Sequence, residues 1–225
     1  MKKGYFTLFE TCLFFGSITL ITVSFFLFGG QGYLSLAASL IGAAAIIFSA
    51  KGNPMGPLLI IIFSTLYGII SYSYAYYGEM ITYLGMSTPM SVWALIAWLR
   101  NPYKGKKSQV KVGSIKPREV AVILLVSVVV TVVFAFILYY LGTANILPST
   151  ISVTTSFLAA YLTYKRSPYF ALVYALNDMV LLVLWTLATI EDISYLSMII
   201  CFIVFLANDT YSFINWKRMQ KKQQS

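Results

Sequence analysis

Apolar residues in this chain fall into eight runs, separated by short clusters of Gly, Pro, Asn, Asp and Ser. The runs cover 6–28, 33–50, 55–77, 79–99, 119–141, 147–164, 168–190 and 193–214. A helix rises about 1.5 Å per residue, so runs of this length cross the roughly 30 Å hydrocarbon layer of a bilayer. The breaks carry turn chemistry: Gly29 to Gly32, Gly52-Asn53-Pro54, Gly78, the polar stretch 100–118, Gly142 to Asn145, Ser167-Pro168 and Glu191-Asp192. The pattern predicts an all-α integral membrane protein with eight transmembrane helices. The first run has no small-residue cleavage pattern after it and is expected to stay in place as a helix.

Charge orders these helices. Of 225 residues 59% are hydrophobic and 10% charged, and the 16 Lys and Arg outnumber the 7 Asp and Glu. Lys2 and Lys3 precede the first run and Lys51 follows the second. Arg100, Lys104, Lys106, Lys107, Lys111, Lys116 and Arg118 follow the fourth, Lys165 and Arg166 the sixth, and Lys217, Arg218, Lys221 and Lys222 the eighth. Eight spans place every cation on one face, and the positive-inside rule makes that face cytoplasmic, with both termini inside a plasma-membrane protein. The net charge of +9 is then an orientation signal, and no nucleic-acid partner is needed to explain it. Histidine is absent, which removes the commonest general base and metal ligand. Cys12 and Cys201 lie in separate apolar runs and are read as packing residues. No cofactor or metal is expected, and no enzyme.

An internal repeat is visible. Lys51-Gly52-Asn53-Pro54 matches Lys165-Arg166-Ser167-Pro168 at a separation of 114, and Trp98-Leu99-Arg100 matches Trp216-Lys217-Arg218 at a separation of 118. The chain therefore divides into an extra N-terminal helix (1–32), a first three-helix repeat (33–99), a basic cytoplasmic loop (100–118), a linker helix (119–146), a second three-helix repeat (147–216) and a basic tail (217–225). Both repeats enter the membrane from the same side, so they are parallel.

Polar and aromatic side chains inside the spans mark where a solute binds. Asp178 lies near the middle of its span, where a charge costs about 2.5–3.5 kcal/mol, so it needs a partner or water. At 100° per residue Tyr174, Asp178 and Trp185 share a face, with Asn177 beside them. Asn208, Tyr211 and Asn215 share another in the last span, and Asp209 with Trp216 the neighbouring one, Asp209 being placed toward the cytoplasmic end. The first repeat offers Ser64, Tyr67 and Ser71, extended by Tyr74, and then Met90, Trp93 and Ala97. The candidate binding residues are Tyr67, Ser71, Trp93, Tyr174, Asn177, Asp178, Trp185, Asn208, Tyr211 and Asn215. Asn and Asp in helix bundles also serve as interhelical hydrogen bonds, and that alternative stays open for each of them. Trp98 and Trp216, beside the cations, read as interfacial anchors, and Tyr72, Tyr74, Tyr76 and Tyr77 as an aromatic belt. Pro89, mid-span, is expected to kink its helix.

Several of these residues carry a family resemblance. Tyr67-Gly68-Ile69-Ile70-Ser71-Tyr72, Tyr77-Gly78-Glu79-Met80, Pro89, Trp98, Asn177-Asp178 with Trp185, and Asn208-Asp209 with Tyr211 and Ile214 to Lys217 resemble the PnuC family of vitamin-precursor transporters over about 33–219. The resemblance implies a SWEET-like fold, facilitated uptake of nicotinamide riboside feeding NAD biosynthesis, trapping by a cytoplasmic kinase, and a homotrimer. Many riboside carriers of that family have a Trp-x-x-Trp pair where this chain reads Ala171-x-x-Tyr174. Thiamine, riboflavin or a deoxynucleoside therefore stay open as the carried solute. Two other classes compete. A membrane enzyme acting on lipids would carry acids on its loops, but 100–118 contains none. A non-transporting subunit of an ATP-driven system would borrow its ATPase, since Gly105-Lys106-Lys107-Ser108 lacks the earlier glycine of a phosphate-binding loop.

Overall fold

The computed structural model describes residues 5–28, 32–73, 77–143 and 145–225, except for the side chains of Ser73 and Tyr77. Lys2, Lys3, the break at Gly29 to Gln31, Tyr74 and Tyr76 lie outside the described residues. The elements are α1 (Leu8–Phe28), α2 (Tyr33–Ala50), α3 (Met55–Ser73), α4 (Tyr77–Ile81), a π-helical turn (Thr82–Ser87), α5 (Thr88–Leu99), β1 (Pro102–Tyr103), β2 (Lys106–Val110), α6 (Pro117–Tyr140), α7 (Ile146–Tyr164), α8 (Tyr169–Glu191), a 3-10 turn (Ile193–Tyr195) and α9 (Leu196–Gln224). The chain is 83% helical, and among the described residues eight helices are long and apolar enough to cross a membrane. Residues 78–99 form one of them, made of α4, the π turn and α5 together.

The π turn answers the expectation placed on Pro89. Proline has no N–H and its ring crowds the preceding turn, and the chain responds by widening the helix just upstream and restarting it with Pro89 in the first turn of α5.

The two halves of the chain interlock. α2 and α3 pack together in the first, α7 and α8 in the second, and the two halves meet where α5 packs on α7 and α2 on α9. Most apolar side chains that remain exposed, among them Val122, Leu125, Val129 and Phe136 on α6, cover the outer surface as lipid requires.

Two polar stretches are more ordered than their composition predicts. Within 100–118, β1 and β2 form an antiparallel hairpin, and Val110 at its end is fully buried. The tail from 217 continues α9 as helix, because Met219 is buried beneath the hairpin and Gln223 Oε1 accepts from Val112 N at 2.8 Å.

Candidate functional site

α2, α3, the π turn, α5, α7, α8 and α9 line a cavity of about 110 Å³ within the helical bundle. Its polar wall comes from α8 and α9: Tyr174, Asn177 and Asp178 from one, Asp209 from the other. The carboxyls of Asp178 and Asp209 lie side by side, each residue about 95% or more shielded from solvent, and Asp178 Oδ2 meets no protein donor. Asn177 Oδ1 accepts from Thr155 Oγ1 at 2.7 Å and Ser152 Oγ at 3.0 Å. Its amide nitrogen is the group left to offer a solute. Rings of Phe63, Tyr83, Phe170, Phe202 and Phe205 supply the apolar wall. Among the described residues, no Lys or Arg borders this space.

A second, smaller cavity of about 70 Å³ shares Tyr83, Ser87, Ser156 and Leu181 with the first and continues toward the cation-poor face, past Glu79, Thr143 and Ser149. On the cation-rich side the path is closed. Trp98, Phe170 and Trp216 are nearly or fully buried and pack with centroids 5.0 to 6.3 Å apart, with Val110 and Met219 beneath them. The two tryptophans, expected as interfacial anchors, are instead fully buried and pack against Phe170, which lines the cavity. Their position beside cations misleads because the hairpin and the end of α9 lie between them and the outside.

Of the sequence-derived candidates, Tyr174, Asn177 and Asp178 line the cavity. Tyr67 stands one layer behind, its ring 4.9 Å from that of Tyr83. Trp185 stacks on Phe202 with its indole nitrogen unpartnered. Ser71 donates to Glu79 at 3.4 Å, beside the second cavity. The remaining four face elsewhere. Asn208 donates to Ser17 Oγ at 3.0 Å, Tyr211 to Glu10 Oε1 at 2.7 Å, and Asn215 to the Ala50 carbonyl at 2.8 Å. These three bind α9 to α1 and α2, whereas the neighbouring face of α9, with Phe202, Phe205 and Asp209, turns to the cavity. Trp93 is 66% exposed on the outer surface. Asp209 and Tyr83 border the cavity although neither is among the sequence-derived candidates. The spacing of Phe202, Phe205 and Asp209 at i, i+3 and i+7 is a signal that could have found the former.

A family model described as nicotinamide mononucleotide transporter matches residues 32–218. The chain belongs to that family. It is 25% identical over 201 residues to the nicotinamide riboside transporter PnuC of Neisseria mucosa, covering 88% of this chain and 76% of the relative. A solved structure, described as the crystal structure of the vitamin B3 transporter PnuC, superposes with a TM-score of 0.82 over 98% of this chain and 95% of the other at 24% identity. The family is one of transporters, and the chain is a multi-pass membrane transporter of small molecules and not an enzyme.

Proposed function

We propose that this transporter carries nicotinamide riboside, unphosphorylated, by facilitated diffusion into the cell, where a cytoplasmic kinase traps it. The relatives support the riboside class, although their descriptions differ: the family model names the mononucleotide and the Neisseria protein the riboside. One observation favours the riboside for this chain. The cavity carries two neighbouring carboxyls and aromatic faces and, among the described residues, is bordered by no cation. The nicotinamide ring of the riboside is cationic and planar, so carboxyl groups and π faces favour it. A dianionic phosphate in the same low-dielectric space meets repulsion and no partner.

Ala171 and Tyr174 stand where a Trp pair is expected, which keeps thiamine, also a planar cation, as the second reading. The cation-rich face is taken as cytoplasmic, both termini with it. A homotrimer, implied by the resemblance, belongs to the same proposal.

Calorimetry with the riboside, its 5′-monophosphate and thiamine tests the reading. The riboside is expected to bind at least tenfold more tightly than either. Comparable affinity for the monophosphate overturns exclusion of phosphate, and tighter binding of thiamine overturns the substrate. In liposomes, uptake should stop at equal concentrations inside and out. Accumulation driven by a pH gradient would instead make the Asp178–Asp209 pair a proton carrier.

A further inference from the structure

The repeat places Trp93 and Tyr211 in equivalent positions, 118 residues apart like Trp98 and Trp216. Their surroundings differ. Around Tyr211 the crevice is filled: α1 packs against both α2 and α9, and Tyr211 touches Glu10 and Phe9. On the other side α6 precedes its repeat as α1 precedes the first, and its Glu119 pairs with Lys165 at 2.7 Å as Glu10 pairs with Lys51 at 2.9 Å. But α6 packs on α7 and makes no comparable contact with α5. A groove of about 440 Å³ stays open there, lined by Trp93 and Met90 of α5, Val122 and Val126 of α6, and Phe157 and Tyr161 of α7.

Past Trp93 and Tyr164 the groove runs into a polar pocket bordered by Arg100, Lys165 and Arg166 and by no acid. Lys165 is held by Glu119, leaving Arg100 and Arg166 without an ion-pair partner among the described residues. Arg166 Nε is buried and unbonded. The repeat makes Arg166 more unusual. Its counterpart is Gly52, and both sit in left-handed backbone, at φ 57° and 66°. That conformation suits glycine and strains arginine, and strain of this kind is retained where the side chain serves a purpose.

We propose that this groove holds an anionic phospholipid, one acyl chain lying along Trp93 between α5 and α6 and its phosphate meeting Arg100 and Arg166. The apolar groove opens to the membrane, the cations stand at the end where headgroups lie, and basic pockets between helices at a membrane face take acidic headgroups. Arginine suits the task because its planar fork matches phosphate oxygens.

Trp93 makes the test direct, since Trp98, Trp185 and Trp216 are at most 8% exposed. The purified protein is placed in nanodiscs containing brominated phosphatidylglycerol or brominated phosphatidylcholine at equal mole fraction, and tryptophan quenching is compared. Phosphatidylglycerol is expected to be about fivefold more effective, the effect of roughly one basic residue near an anionic surface. Trp93→Phe should remove most of the quenching. Arg166→Gly installs the residue the other repeat already uses, so it should fold at least as stably, yet together with Arg100→Gln it should make the two lipids quench alike. Equal quenching in the parent protein overturns the proposal, as does a preference that survives both substitutions. A preference erased by inorganic phosphate at fixed ionic strength assigns the pocket to free phosphate and overturns it too. Absence of quenching by either lipid means that another copy of the chain covers Trp93, and the lipid proposal falls with that outcome as well.

Discussion

Trp98 and Trp216 stand with ring centroids 5.3 Å apart, and each indole donates to a carbonyl of the opposite repeat. Trp98 Nε1 reaches Thr163 O at 2.8 Å and Trp216 Nε1 reaches Ser49 O at 2.8 Å. Ser49 and Thr163 are themselves repeat equivalents, two residues before Lys51 and Lys165. The packing beneath Phe170 is therefore a symmetric exchange in which each half of the chain bonds to the other.

Removing one donor while keeping a ring should isolate that exchange. Trp98→Phe and Trp216→Phe are each expected to cost about 0.5–1.5 kcal/mol, the net worth of one hydrogen bond, because Thr163 O and Ser49 O each keep a backbone donor, Arg166 N and Gly52 N. The double variant should depart from additivity by about 0.5–1.5 kcal/mol if the rings also interact. Unfolding in detergent measures this, and additive losses would mean that the two indoles act independently.

Asp178→Asn and Asp209→Asn address charge in the cavity. Each should weaken binding of cationic nicotinamide riboside by about tenfold or more, in line with roughly 1.5–3 kcal/mol for a hydrogen bond to a charged group. A neutral nucleoside should be affected far less. Calorimetry across the two ligands decides, and equal losses for both would mean that the carboxyls shape the cavity without reading charge.

Docking of α1 depends on Glu10, which is 1% exposed and binds Lys51 through both oxygens, Tyr211 through one and the Thr7 amide through the other. Lys51→Met leaves that carboxylate without its cation and is expected to cost about 3–5 kcal/mol, as for other broken buried pairs. Glu10→Gln in the same background should recover part of the loss. Melting temperatures of the single and double variants provide the check, and no recovery would show that Lys51 matters through its stem.

Orientation is tested with cysteine at position 107, in the exposed hairpin strand β2. Its labelling by an impermeant maleimide should require broken cells. Labelling from outside in intact cells would reverse the assigned topology.

Eight spans are legible in the sequence because lipid solvation acts on each segment separately. The wall of the cavity is less legible. Asn208, Tyr211 and Asn215 form the most polar stripe of α9, and a solute is the obvious partner for it. Their partners in the structure are Ser17 and Glu10 of α1 and the Ala50 carbonyl. Glu10 and Ser17 lie in a helix outside the repeat, so comparing the two halves cannot reveal them. Asp178 stands out because burying a lone acid at mid-span demands an explanation. Asp209 falls near the cytoplasmic end only when its span is ended at 214, whereas α9 continues to Gln224.

Hydrogen bonds fasten the hairpin and the extended residues after it to both halves of the chain. Val110 N donates to Gly52 O at 2.8 Å between α2 and α3, Gly113 N to Arg166 O at 2.9 Å between α7 and α8, and Val112 N to Gln223 Oε1 at 2.8 Å at the end of α9. A carrier that opened toward the cation-rich side by parting its two halves would separate Trp98 from Trp216, and with them the surfaces to which these three amides are bonded. Their protons would then exchange with deuterium at a rate set by how often the two halves part. If transport parts those surfaces, the three amides would report it in unmodified protein, their exchange slowing with a ligand that holds the two halves together and quickening with one that separates them.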